Sequence, residues 1–82
     1  MFLEIVTPAK KVYEGEVNAI AFPGVDGSFQ VLNDHAPLVS SLGKGTVTYQ
    51  NKEGKHNVEI SGGVVEVLNN KIVLLADGLI GE

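Results

Sequence analysis

The chain has 82 residues, no cysteine, and six lysines with no arginine against ten acidic residues, for a net charge of -4. That length makes one domain spanning 1–82. The absent thiols exclude disulfides and thiolate metal sites and accord with a reducing compartment, and the acidic balance disfavours nucleic acid, because only Lys10 and Lys11 adjoin where a phosphate backbone needs clustered cations.

Leu3 and Ile5 alternate with Glu4 and Val6, so residues 1–7 read as a strand near a sheet edge, ended where Pro8 removes a donor. No basic stretch of a secretory signal opens it. Val12 and Tyr13 resume a strand, Gly15 marks a bend or bulge, and 16–22 continue it. The bulk of Ile20 and Phe22 points them inward, leaving Val17, Ala19 and Ala21 as a small-residue face open to another surface. Pro23-Gly24-Val25-Asp26-Gly27 is a loop by its chemistry. Its paired glycines do not make a phosphate cradle, because 28–32 alternate as a strand where that mechanism needs a helix.

Phe29 and Val31 alternate with Ser28 and Gln30, and the pattern breaks at Asn33-Asp34-His35-Ala36-Pro37. Asn and Asp bond their own backbone, and Pro37 keeps Ala36 out of the helical region, so the chain turns sharply around His35. Leu38, Ser40 and Leu42 then alternate with Val39 and Ser41 up to Gly43-Lys44-Gly45. Val47 and Tyr49, then His56, Val58 and Ile60, form a hairpin with one polar face around 51–54. Gly62-Gly63 marks a bulge or a close backbone approach. Val65 and Val67 oppose Glu66, Asn69-Asn70 suits a two-residue type I′ turn, and Ile72 to Ala76 is apolar on both faces, as expected of a central strand. That apolar run is far shorter than the ~20 residues of a membrane-spanning helix. No window carries an uninterrupted helical stripe. The expectation is an all-β fold, a flattened barrel or two-sheet sandwich of eight to ten short strands.

The chemistry-bearing residues do not converge. Asp34 and His35 with Ser40 or Ser41 supply the parts of a nucleophilic triad, but neighbours on a turn or strand point apart. His35, His56, Asp34 and Asp77 follow no ligand spacing, so no metal and no cofactor is expected.

The run from Gly27 to Gly45, with its His-Ala-Pro corner, together with Ser61-Gly62-Gly63-Val64-Val65-Glu66-Val67 and Leu74-Leu75-Ala76-Asp77, resembles the N-terminal domain of the epsilon subunit of F-type ATP synthases. The three motifs stand in order and cover nearly the whole chain. The chain departs from that pattern at Gln30, at Asn33-Asp34 where the family has Pro-Gly, and at Ser28, where it often has an acidic residue.

The resemblance implies a β-sandwich that performs no chemistry of its own and inserts no segment into the membrane. It implies a rotor subunit of the F1 central stalk, at the cytoplasmic face of the bacterial inner membrane, clamping the gamma subunit to the ring of c subunits. Carried over by position, Thr7, His35, Ala36, Pro37 and Ser40 correspond to the gamma contact, and Asp26, Gly27 and Ser28 to the end facing the c ring. In many relatives a helical hairpin follows the sandwich and inhibits ATP hydrolysis. Residues 78–82 are too few for a helix, so coupling without that brake is expected. The alternative is a small β carrier domain of the lipoyl or biotinyl type, with Lys52 or Lys71 at a hairpin tip, but the flanking Met or Asp and the internal symmetry of such domains are missing.

Overall fold

The computed structural model describes residues 1–80. Nine strands follow one another: β1 (Phe2–Val6), β2 (Lys11–Glu16), β3 (Ala19–Gly24), β4 (Gly27–Leu32), β5 (Leu38–Leu42), β6 (Gly45–Asn51), β7 (Gly54–Ile60), β8 (Gly63–Leu68) and β9 (Lys71–Ala76). No helix occurs among the described residues. The all-β expectation holds, with a strand number inside the expected range.

The strands are hydrogen-bonded in the order β2-β1-β9-β8-β5-β3-β6-β7, and β4 pairs with β3 off this path. The link between β5 and β3 is one register pair, Gly24 opposite Leu42. The sheet therefore folds there into two leaves, β2-β1-β9-β8-β5 and β4-β3-β6-β7. Every named pairing is antiparallel except β1 with β9.

Alternation puts one row of each strand between the leaves. Leu3, Ile5, Ile72, Leu74, Val65 and Val67 face Ile20, Phe22, Val31, Val47, Tyr49 and Ile60 in one core cluster. Ile20 and Phe22 point inward, as their bulk predicts. Both glycines of the 62–63 pair have positive φ, and a Cβ on Gly63 would meet the Leu75 carbonyl oxygen and lie 3.0 Å from the Ala76 Cα. The close backbone approach expected there is present. Asn69 and Asn70 take φ values of 51° and 63°, the left-handed pair of a type I′ turn.

Three expectations are corrected. The strand expected over 16–22 is interrupted, because Val17 and Asn18 carry the chain from one leaf to the other, with Val17 N–H donating to the Met1 carbonyl at 2.9 Å and Asn18 N–H to that of Gln50 at 2.7 Å. Val17 is consequently buried in the core, so no open face of Val17, Ala19 and Ala21 exists. Val17 continues the inward row of β2 after Tyr13 and Gly15, which pair with Ile5 and Leu3, whereas reading 16–22 as one strand gives it the parity of β3. The strand over 72–76 is central in its pairing, between β1 and β8, but is buried on one side only: Ile72, Leu74 and Ala76 are covered and Leu75 is exposed. β1 itself lies one strand in from an edge.

Leu79 forms a bridge with Ile60, and Ile80 N–H donates to the Glu59 carbonyl at 3.0 Å. Residues 78–80 thus extend the pairing of β7. The other two residues of the stretch expected to lack a helix, Gly81 and Glu82, lie outside the described residues.

Candidate docking surfaces

The His35 corner follows directly from β4. Asn33 and Asp34 reverse the chain, with Asp34 at φ 62°, and the His35 N–H closes the turn on the Leu32 carbonyl at 3.2 Å. Asp34 is tied across the leaf to the β8–β9 turn: its N–H donates to Asn70 Oδ1 at 2.7 Å, and Asn70 Nδ2 donates to Asp34 Oδ1 at 3.2 Å. The amino group of Met1 donates to Asn33 Oδ1 at 3.0 Å. His35 Nδ1 lies 2.7 Å from the Ala36 carbonyl oxygen and donates to it. The half-buried imidazole and the exposed Ala36 and Pro37 form a ridge, beside a shallow concavity lined by Asp34, His35, Pro37, Asn69 and Asn70.

Ser40 lies on β5 opposite Val65, in the row that faces the core, and its Oγ donates to the Ser41 carbonyl at 3.3 Å. It backs the corner strand from inside. Thr7 does not stand beside the corner. Its Oγ1 accepts from the N–H groups of Ala9 and Lys10 at 3.2 and 3.1 Å and so organises the turn between β1 and β2. The register runs Val6–Leu75–Val64–Ser41 at that end of the leaf and Phe2–Lys71–Leu68 at the corner end. Thr7 and His35 occupy opposite ends of one leaf.

Asp26, Gly27 and Ser28 share the end of the molecule that Thr7 occupies. Val25 and Asp26 form the tip of the β3–β4 hairpin, where Gly27 has φ +125° with open space around it. The tip is held from below by Val25 N–H to the Ser41 carbonyl at 3.3 Å and Gly43 N–H to the Pro23 carbonyl at 2.8 Å. The 23–27 loop expected from composition is therefore narrower, since Pro23, Gly24 and Gly27 belong to the flanking strands.

One further surface escaped sequence reasoning. The outer face of the five-stranded leaf carries Val39 (68% exposed), Leu75 (53%), Leu68 (49%) and Val64 (41%), with Val6 and Val73 between them in register. Glu66 stands within it, between Val64 and Leu68 on β8 and opposite Val39 and Val73, and Glu4 and Glu14 continue the same row to the β2 edge. Lys11 Nζ sits 3.1 Å from Glu14 Oε1 and 3.5 Å from Glu4 Oε2, and the Glu14 hydrogen bond and charge, then Glu4, hold its ammonium pKa above the usual value. The signal lies in the apolar residues on both faces of β9, since a strand with one face open to a partner carries the same pattern as one buried on both.

No catalytic arrangement is assembled from the corner residues: His35 Nδ1 is turned to Ala36, and Ser40 bonds its neighbour's carbonyl. Among the described residues no three of His, Cys, Asp and Glu cluster as metal ligands.

Residues 1–82 match the family described as the ATP synthase delta/epsilon chain β-sandwich domain. The chain is 40% identical over 77 residues to the ATP synthase epsilon chain of Maridesulfovibrio salexigens, covering 94% of this chain and 54% of that one. It is 45% identical to the epsilon chain of Desulforamulus reducens, covering 92% and 57%, and 42% identical to that of Chlorobaculum tepidum, covering 92% and 86%. The chain thus spans little more than half the length of the first two. Among solved structures, a chain of the Euglena gracilis mitochondrial ATP synthase OSCP/F1/c-ring assembly superposes with a TM-score of 0.87 at 22% identity, over 95% of this chain and 51% of that one. A chain of the Tetrahymena thermophila mitochondrial ATP synthase central stalk/c-ring superposes at 0.82 with 17% identity, over 96% and 64%. These two likenesses establish the fold. The carrier-domain alternative falls with the family match, and the chain belongs to the ATP synthase delta/epsilon β-sandwich family.

Proposed function

We propose that this chain is a non-catalytic rotor subunit of an F1Fo ATP synthase, peripheral at the cytoplasmic face of the bacterial inner membrane, that holds the gamma subunit against the ring of c subunits. The observation that carries this reading is the uncovered apolar face of the five-stranded leaf, where four large aliphatic side chains stand 41 to 68% exposed on adjoining strands. Exposed aliphatic side chains grouped in this way around a single carboxylate, Glu66, mark an interaction site. The family membership gives the reading its context, since relatives carry the name ATP synthase epsilon chain.

The geometry suits a coupling element. The His35 corner, which we assign to gamma with Ala36, Pro37 and the supporting Ser40, lies at one end of the leaf. The Asp26-Gly27-Ser28 tip, assigned to the c ring, lies at the other. Thr7 shares the tip's end, so a gamma contact that includes it must run the length of the outer face. Between the two ends the load crosses strands bonded edge to edge, a stiff path for torque. The surface is 4713 Å², so two interfaces of about 800 Å² each would cover a third of it.

Tagged protein expressed in its native host and recovered from detergent-solubilised membranes tests the reading. Gamma and the other F1 subunits are expected to co-purify. Recovery of the protein without any F1 subunit sinks the assignment.

A further inference from the structure

Asp34 occupies the left-handed region at φ 62°, where an L-residue with a side chain is uncommon and only short polar residues sit readily. Its conformation sets where the next residues point, and the next residues are His35, Ala36 and Pro37. Two hydrogen bonds from one side chain hold it there: Asn70 Oδ1 accepts the Asp34 N–H at 2.7 Å and Asn70 Nδ2 donates to the Asp34 carboxylate at 3.2 Å. Asn70 is itself fixed, at φ 63° in the β8–β9 turn, with its carbonyl accepting the Phe2 N–H at 2.9 Å. A residue distant in sequence thus ties the corner to the two central strands of the leaf.

We propose that Asn70 is a positioning residue for the His35 corner: its side-chain amide locks Asp34 in the left-handed conformation and so fixes the direction in which His35, Ala36 and Pro37 are presented to a partner. The part concerning a partner rests on the assignment of the corner to gamma. An amide is the group the geometry requires. It offers an acceptor to the N–H and a donor to the carboxylate in one plane, which neither Asp nor Ser supplies opposite Asp34. The pair is also reversible in chemistry, because Asn at 34 and Asp at 70 would make the same two bonds with the roles of the side chains exchanged.

That reversibility gives the test. Asn70→Ala, Asn70→Asp, the swap Asp34→Asn with Asn70→Asp, and His35→Ala are compared with the parent chain for gamma affinity by calorimetry, thermal midpoint, and hydrogen exchange at the residue-34 amide. Asn70→Ala is expected to speed exchange at that amide and weaken gamma binding about threefold to tenfold, the loss of one or two hydrogen bonds. Asn70→Asp sets two carboxylates face to face and should weaken binding at least as much. The swap should restore both exchange and affinity, which a general loss of stability would not do. If His35→Ala weakens binding while the Asn70 variants do not, the positioning role is overturned and the corner assignment stands. If His35→Ala changes nothing, the corner assignment fails, and the lock is then judged by exchange alone: unchanged protection in Asn70→Ala overturns it. Should Asn70→Ala fail to fold, a folded swap that binds like the parent supports the proposal and one that does not overturns it.

Discussion

The ring of Tyr13 on β2 lies 4.4 Å from that of Tyr49 on β6, centroid to centroid, although the two strands belong to different leaves and share no ladder. His56 stacks on Tyr49 at 5.1 Å and 24°. Asn51 Nδ2 donates to the Tyr13 hydroxyl at 3.2 Å, and His56 Nε2 lies 3.1 Å from Asn51 Oδ1. Stacked rings and side-chain bonds therefore join β2 to β6 in a seam between strands that share no ladder among the described residues.

Tyr49→Ala should accordingly destabilise the fold by about 3 to 5 kcal/mol, the range for removing a buried aromatic. Tyr13→Phe keeps the stacked ring and loses only the bond from Asn51, about 0.5 to 1.5 kcal/mol. Urea unfolding followed by circular dichroism separates the two. Equal losses would mean that the hydroxyl, and not the rings, holds the seam.

Alkaline pH should loosen the same seam. Burial, and then the neighbouring Tyr13 charge, push the Tyr49 phenol above its ordinary value near 10. Below pH 10 both states keep the proton and stability is unaffected. Above it the unfolded chain releases the proton first and binds fewer protons than the folded chain, so stability falls as pH rises through the folded pKa. The urea midpoint should drop more steeply above pH 10 in the parent than in Tyr49→Phe. Parallel curves would remove Tyr49 from the effect.

Gly63→Ala should cost about 2 to 5 kcal/mol, combining a backbone conformation that only glycine adopts easily with a clash against strand β9. Gly62→Ala should cost less, near 1 to 3 kcal/mol, because its Cβ would meet chiefly the movable Asp77 carboxylate, at 3.1 Å. Thermal midpoints of the two variants rank them, and the reverse order would contradict this account.

His35→Ala should weaken gamma binding by about 1 to 3 kcal/mol while shifting fold stability by no more than about 0.5 kcal/mol, since its ring bond is to the adjoining residue. Calorimetry and thermal melting read the two quantities. An unchanged affinity would move the gamma contact away from the corner.

Leu75→Glu adds a charge to the exposed face beside Val6 and Val64 without touching the core, so stability should change by less than about 1 kcal/mol. Binding of gamma should fall at least about tenfold, the loss expected where an apolar anchor is replaced by a charge. A Leu75→Glu chain that co-purifies normally with F1 would show that this face is not the interface.

Most of the fold was legible because period-2 alternation and turn chemistry speak directly to strands: the Asn69-Asn70 turn, the glycine pair and the 45–60 hairpin all stand where local rules put them. Val17 differs because it ends the inward row of β2, after Tyr13 and Gly15, and the crossing at 17–18 shifts the parity before β3 begins. Leu75 was misread for a different reason. An apolar residue on a strand looks the same whether a core or an absent partner covers it, and only the second leaf's position tells them apart. The reciprocal pair of Asp34 and Asn70 was invisible because turn residues so far apart in sequence announce no contact.

β1 and β9 form the one parallel pair among the described residues, with Leu3 beside Ile72 and Ile5 beside Leu74. During synthesis β1 must therefore wait for β9, which follows seven intervening strands, before its inner edge is paired. Topologies dominated by such distant pairings fold in milliseconds to seconds, and until then the apolar residues of β1 remain open to mispairing. The outer face shares those strands, so a partner cannot find its docking surface on a nascent chain. Assembly waits on β9.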